Sequence, residues 1–189
     1  MKTTDEIKKI EAVVLYILSA FKEGVDYIKL FKIMYFAQKD YLLKYGKVLC
    51  PDTFKARKYG PIPAFSDKVI KTVETKESMR GKSDFKTFVA SIKVENQLVY
   101  GLSEPDSDYL PVKERQCLDK WIEYCRNKDS IKELSPESHD KAYKDAWKAY
   151  QDDPQKGEMT WISIARAAGA SAKMVSYIRE KELMSEQLS

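Results

Sequence analysis

The first 45 residues carry apolar side chains at intervals of three and four, and this spacing limits what the chain can fold into. It is the spacing of amphipathic α-helices, each with one apolar stripe that needs to be buried. We predict a first helix from Thr4 to about Glu23, with Thr4 as its N-cap. A second helix is predicted from Asp26 to Tyr45, and Gly46 ends it.

A small β component is predicted after these helices. Residues 54–59 have no helical stripe and are followed by Gly-Pro-Ile-Pro, which indicates a short strand, a tight bend and a third helix that starts near Pro61 or Pro63. Residues 92–95 alternate in polarity, and an Asn-Gln pair separates them from residues 98–100. Two short runs divided in this way predict a β-hairpin.

The rest of the chain reads mainly as helix. One helix is predicted to begin either at a capping box formed by residues 103–106 or at Pro111. Another is predicted to run from Ser135 toward Tyr150. The polar residues 76–84 are predicted to form a loop, and the tail to form two short helices around Gly169. We therefore expect a mainly α fold of the α+β kind: a helical bundle with a small antiparallel β-sheet or hairpin.

Composition argues against membrane-spanning, secreted and disulfide-built proteins. The most apolar stretch, residues 12–21, is about half the length of a bilayer-spanning helix. Acidic residues come before any apolar run at the N-terminus, which is not typical of a secretory signal. We therefore expect a cytoplasmic protein without a membrane partner. Three cysteines are too few for a disulfide framework, so we expect reduced, partly buried thiols.

The sequence lacks the patterns of common metal, cofactor and catalytic sites. No two of its seven glycines lie within ten residues, which excludes a Walker loop and a dinucleotide fingerprint. One histidine and three scattered cysteines do not supply four close zinc ligands. Ser138, His139 and Asp140 are adjacent, and adjacent residues on a helix point in different directions. We expect no cofactor, no metal and no catalysis. An enzyme that uses His139 is kept as an alternative hypothesis.

Charge and aromatic residues leave two interpretations open. Residues 1–100 hold 19 basic and 12 acidic side chains, so this half could meet an acidic partner or a phosphate backbone, or carry ordinary surface charge. The second helix is also rich in aromatic residues, which would form a contact surface for protein or nucleic acid where exposed. Alternatively, other elements cover that helix on two sides. The aromatic residues are Tyr27, Phe31, Tyr35, Phe36, Tyr41 and Tyr45.

The tail has a pattern that is similar to the helix-turn-helix of bacterial repressors. Residues 165–175 read Ala-x-x-Ala-Gly-x-Ser-x-x-x-Val, where small residues let two helices cross closely and Ser caps the second helix. In this interpretation Ser171, Lys173 and Tyr177 contact DNA. The other interpretation is a helical hairpin that closes the domain.

Two segments carry a resemblance to a known family. Residues 29–38 (KLFKIMYFAQ) and residues 56–61 (ARKYGP) resemble the Panacea domain of the SocA-like antitoxins, a family also found in phage-associated proteins. The later Leu134-Ser135, Ser138-His139 and Trp147 fit the same pattern. The resemblance covers about residues 8–150. We assign residues 1–155 to a Panacea-like antitoxin domain and 156–189 to a C-terminal helical hairpin packed on it.

The resemblance implies a cytoplasmic, non-enzymatic antitoxin that neutralises a cognate protein toxin by binding it directly. Lys32, Tyr35, Lys58 and Tyr59 are the predicted partner-binding residues, because they combine positive charge with aromatic surface. The alternatives are a transcriptional regulator that binds operator DNA through the tail, and a proteolytic adaptor. The oligomeric state and the identity of the toxin stay open.

Overall fold

The computed structural model describes residues 2–76 and 83–187. Helix α1 spans Thr4–Ser19 and α2 spans Tyr27–Tyr45. The start of α1 is as predicted, although its N-cap is Thr3 in a capping box with Glu6, and its end comes earlier than Glu23. Asp26 is the N-cap of α2, within one residue of the predicted start, and Gly46 ends the helix in the left-handed conformation, as predicted.

The remaining elements follow in chain order and confirm a mainly α fold with a small β component. The strands are β1 (Val25–Asp26), β2 (Phe54–Arg57), β3 (Gly60–Pro63), β4 (Ile92–Glu95), β5 (Leu98–Gly101) and β6 (Glu158–Met159). The helices are α3 (Ala64–Thr75), α4 (Ser83–Ala90), α5 (Val112–Arg126), α6 (Ser135–Glu137), α7 (Lys141–Asp152), α8 (Trp161–Ala167) and α9 (Ala172–Gln187). A 3₁₀ turn at Ser107–Tyr109 and a π-helical turn at Ser130–Leu134 complete the list.

The strands form two small antiparallel sheets, in the orders β1-β5-β4 and β3-β2-β6. The predicted β4–β5 hairpin is confirmed. Its two loop residues, Asn96 and Gln97, both have positive φ (51° and 66°), as a two-residue hairpin turn requires. The β2–β3 hairpin pairs Arg57 with Gly60, so Lys58 and Tyr59 form its tip.

Helix α2 lies at the centre of the core. Helices α1, α5 and α8 and strand β3 all pack against it, and every residue from Leu30 to Gln38 is buried. The expectation of a partly exposed, tyrosine-rich second helix is therefore wrong for most of its length. Phe31, Tyr35, Phe36 and Tyr41 are buried, and coverage by neighbouring elements is the interpretation that holds.

The second half of the chain confirms some predicted helix boundaries and corrects others. Pro111 is the residue before α5, so the second of the two predicted starts is confirmed. The helix predicted from Ser135 to Tyr150 is interrupted, because Asp140 accepts a hydrogen bond from the backbone of Tyr143 and starts a new helix. Of the predicted loop, residues 77–82 lie outside the described residues, and Ser83 already belongs to α4.

The tail forms two helices around Gly169, as predicted, but α9 is a long helix of 16 residues. Helix α8 contacts α2 and α7, and α9 contacts α8. The division of the chain at residue 155 stays a prediction. Within the described part of the chain, no helix combines the length and the apolar character needed to cross a bilayer.

Candidate functional site

The bend between β2 and β3 lies directly over a lysine of the central helix. Lys32 is only 1% exposed, and its Nζ donates a hydrogen bond to the carbonyl oxygen of Pro61 at 3.1 Å. Gly60 has a φ of 104°, and a Cβ at this position would overlap Ser138 Oγ and lie 2.8 Å from Lys32 Nζ. The close approach and the positive φ together explain why glycine occupies this bend.

A second set of polar contacts ties α2 to the start of α7. The Tyr35 hydroxyl donates to Asp140 Oδ2 at 2.8 Å, and Lys39 Nζ donates to the same oxygen at 2.7 Å. The other oxygen of Asp140 accepts the backbone N–H of Tyr143, which caps α7. Burial, together with the Asp140 carboxylate, raises the pKa of the Tyr35 hydroxyl well above its ordinary value. This tyrosine is therefore a neutral hydrogen-bond donor.

Residues 135–138, which precede α7, are hydrogen-bonded to the tip of the β2–β3 hairpin and to one another. Ser135 Oγ donates to the carbonyl oxygen of Tyr59 at 3.0 Å, and Ser138 Oγ donates to the carbonyl of Ser135. The His139 ring stacks on Tyr143, with 4.1 Å between ring centroids. Burial, and secondarily the charge of Lys32, lowers the pKa of His139, so its ring is neutral at pH 7.

The stack continues along α7 and reaches the hairpin. Tyr143, Trp147 and Tyr150 follow one another with nearly parallel rings, and the Arg57 guanidinium lies 4.4 Å from the centre of the Tyr150 ring. The Tyr143 hydroxyl also donates to the carbonyl oxygen of Arg57 at 3.0 Å. Strand β2 and helix α7 are thereby fixed to each other at the base of the hairpin tip.

These elements enclose a cleft of about 410 Å³ with aromatic and basic walls. The hairpin tip contributes Lys58 and Tyr59, and Tyr59 is 42% exposed. Lys32 lies at the buried end of the cleft. The full lining is Tyr27, Ile28, Phe31, Lys32, Arg57, Lys58, Tyr59, Ile62, Asp67, Ile70, Lys71, Glu74, Trp147 and Tyr150. We refer to this as the hairpin cleft.

The hairpin cleft is electropositive. Four of its lining residues are basic and two are acidic, and one acid, Asp67, already pairs with Lys71 at 2.6 Å. Lys32, Arg57 and Lys58 form no salt bridge within the part of the chain that the structure describes. Burial lowers the pKa of the Lys32 ammonium to about 7, against a smaller opposing effect of Asp26.

The four residues predicted to bind a partner divide into two groups. Lys58 and Tyr59 are exposed at the tip. Lys32 and Tyr35 are buried, which corrects their placement on an open surface, because the hairpin and Asp140 cover them. Sequence reasoning missed Trp147 and Tyr150, although their spacing of three on a helix puts them on one face. It also missed Arg57, although this residue lies in the ARKYGP segment that carries the family resemblance.

The residues predicted to bind DNA lie on another element. Ser171 Oγ accepts the backbone N–H of Met174 at 3.2 Å and so caps α9. Ser171 and Lys173 are exposed, and Tyr177 is 36% exposed. Tyr177 also packs against the end of α2, since a Cβ on Gly46 would lie 2.7 Å from its ring.

Comparison with known protein families gives a match. The family model described as Antitoxin SocA-like, Panacea domain, matches residues 30–148. No match was found among curated proteins or among solved structures. The matched range begins in α2 and ends in α7, so it contains the whole hairpin cleft apart from Tyr27, Ile28 and Tyr150. Because the match covers more than half of the chain, this protein belongs to the SocA-like antitoxin family of Panacea domains.

Proposed function

We propose that this protein neutralises a cognate protein toxin by binding it directly, and that the hairpin cleft is the binding surface. Membership of an antitoxin family gives the general role. The observation that carries the proposal is the exposed Tyr59 at a rigid tip, beside Arg57, Trp147 and Tyr150. Tyrosine, tryptophan and arginine are the residues that dominate binding energy in protein interfaces.

The hairpin tip is held in place before any partner arrives. Ser135 binds the Tyr59 carbonyl, Tyr143 binds the Arg57 carbonyl, and Lys32 binds the Pro61 carbonyl. A binding loop that is already ordered loses little conformational entropy on association, which favours affinity. This role needs no catalytic group, and we expect it to operate in the cytoplasm.

The experiment is co-expression with the product of the neighbouring reading frame, followed by growth. Tyr59→Ala and Trp147→Ala should each abolish growth rescue and weaken binding by about 2 kcal/mol or more. The matched control is Tyr124→Ala, because Tyr124 is 45% exposed and lies on α5, outside the cleft. The proposal fails if the neighbour is harmless alone, or if both cleft variants rescue growth as well as the control.

A second candidate function is operator binding through the tail. The observation that favours it is the pair α8 and α9 joined by Gly169, with Ser171 capping α9 and Lys173 exposed in its first turn. A mobility-shift assay on the protein's own promoter should show binding that weakens as salt rises and that Lys173→Glu reduces. Absence of a shift at low salt would exclude this function.

A further inference from the structure

Lys32, the cation at the buried end of the hairpin cleft, forms no salt bridge with any residue that the structure describes. An ammonium has three donors, and Lys32 uses one of them on the Pro61 carbonyl. The carboxylate that acts on it, Asp26, is engaged elsewhere: its oxygens accept the backbone N–H of Lys29 at 2.9 Å and the hydroxyl of Ser130 at 2.6 Å. A buried charge without a counter-charge is costly, and a carboxylate entering the cleft would remove that cost.

A second cation, Arg57, lines the same cleft. The Arg57 guanidinium lies over the Tyr150 ring, 4.4 Å from its centre, and donates through Nη1 to the Ala56 carbonyl. Guanidinium has five donors in a fixed fork that matches a carboxylate, so donors are left for a ligand. Lys58 adds positive charge at the rim. Three cations thus face one cleft without a salt bridge among the described residues.

The rest of the lining determines what can accompany the carboxylate. Phe31, Ile62 and Ile70 give the cleft apolar walls, and Trp147 closes one side. A carboxylate flanked by apolar side chains therefore fits better than a chain of phosphates. A nucleic acid needs a continuous basic track, and here Glu74 and Asp67 occupy one wall.

We propose that the hairpin cleft binds an acidic-apolar segment of the toxin, in which an Asp or Glu carboxylate pairs with Lys32 and Arg57 and a neighbouring apolar side chain packs on Trp147. This inference rests on the proposed function and adds the chemistry of the partner. In the low-dielectric interior of the cleft, such an ion pair is stronger than on an open surface. It also gives an anionic partner to Lys32 and Arg57, which form no salt bridge among the residues that the structure describes.

To test this proposal, a phage-displayed library of random dodecapeptides is panned on the full chain. The affinities of the enriched peptides are then measured by fluorescence anisotropy. Enriched sequences should contain Asp or Glu beside apolar residues. Lys32→Met should weaken their binding by at least about thirtyfold, as should Asp→Asn or Glu→Gln in the peptide. Arg57→Gln provides a second, more exposed variant. Lys141→Met is the matched control, because Lys141 is an exposed lysine on α7 that does not line the cleft.

Four results would overturn the proposal: no enrichment, enriched peptides without acidic residues, equal binding to the Lys32→Met chain, or stronger binding of a single-stranded oligonucleotide than of any peptide. Growth rescue separates this inference from the proposed function. If Tyr59→Ala loses rescue while Lys32→Met and Arg57→Gln keep it, the cleft binds the toxin without an acidic segment. If acidic peptides bind while the toxin never does, the proposed function fails and the peptide chemistry stands.

Discussion

Replacing Lys32 with methionine should stabilise the protein at neutral and acidic pH, and the gain should shrink as the pH rises. Lys32 is almost fully buried and uses one hydrogen bond to a carbonyl. Methionine has a similar length and carries no charge into the core, while the Pro61 carbonyl loses one donor. Replacing a buried charged group with an apolar residue of similar volume is often neutral or stabilising.

The size of the pH effect follows from the two protonation equilibria. The pKa of Lys32 is about 7 in the folded protein, against an ordinary value of 10.5. Between these values the unfolded chain binds more protons than the folded one, so the free energy of unfolding rises with pH by up to about 1.4 kcal/mol per unit. The destabilisation of the folded protein by the buried ammonium is largest below pH 7 and disappears toward pH 10.5. Between about pH 6 and pH 8.5, the free energy of unfolding of the parent should rise by about 2 kcal/mol relative to that of the Lys32→Met variant.

Urea denaturation of both proteins, followed by circular dichroism across this pH range, measures the difference. Other titrating groups are the same in both chains and cancel in the comparison, apart from His139, whose pKa the charge of Lys32 lowers. The comparison is therefore clearest above pH 7, where the His139 ring is neutral in the parent. Lys71→Met is the control, because the exposed Lys71 side chain should give a profile parallel to the parent. The reasoning is refuted if the Lys32→Met and parent profiles are also parallel, since the ammonium would then carry no burial cost.

Two further substitutions test the framework around the cleft. Gly60→Ala should lower the free energy of unfolding by about 2 kcal/mol or more, because φ is 104° and the new methyl group would overlap Ser138 Oγ; urea midpoints equal to the parent would contradict this. Tyr35→Phe should cost about 1 to 3 kcal/mol, because Asp140 loses a buried donor; a thermal melt that matches the parent would show that Lys39 alone suffices.

The parts of the fold that the sequence predicted well depend on signals within a few residues. Gly46 ends α2, Pro111 precedes α5, and Asn-Gln forms the β4–β5 turn, in each case through the backbone preference of the residues themselves. The interruption before α7 was missed for a related reason. Asp140 is a strong cap, but it competes with a continuing helical pattern, and local sequence does not decide which prevails.

The candidate site was only half predictable, because burial depends on contacts between distant segments. Tyr59 was expected at the surface and lies there. Lys32 and Tyr35 were expected beside it, but Pro61 and Asp140 cover them from positions 29 and 105 residues away. A lysine on a helix is usually exposed, so only the folded chain reveals that this one is buried.

Three of the buried polar residues of α2 explain how one helix organises the segments around the cleft. Lys32, Tyr35 and Gln38 follow at intervals of three, and each binds a different segment: the Pro61 carbonyl, the Asp140 carboxylate, and the backbone N–H groups of residues 49 and 50. Changes at Tyr35 or Gln38 should therefore reduce neutralisation by loosening these segments. Changes at Tyr59, which is exposed, should act on the toxin contact and leave the stability of the fold intact. Measuring both stability and affinity for each variant separates the framework of the cleft from its contact surface.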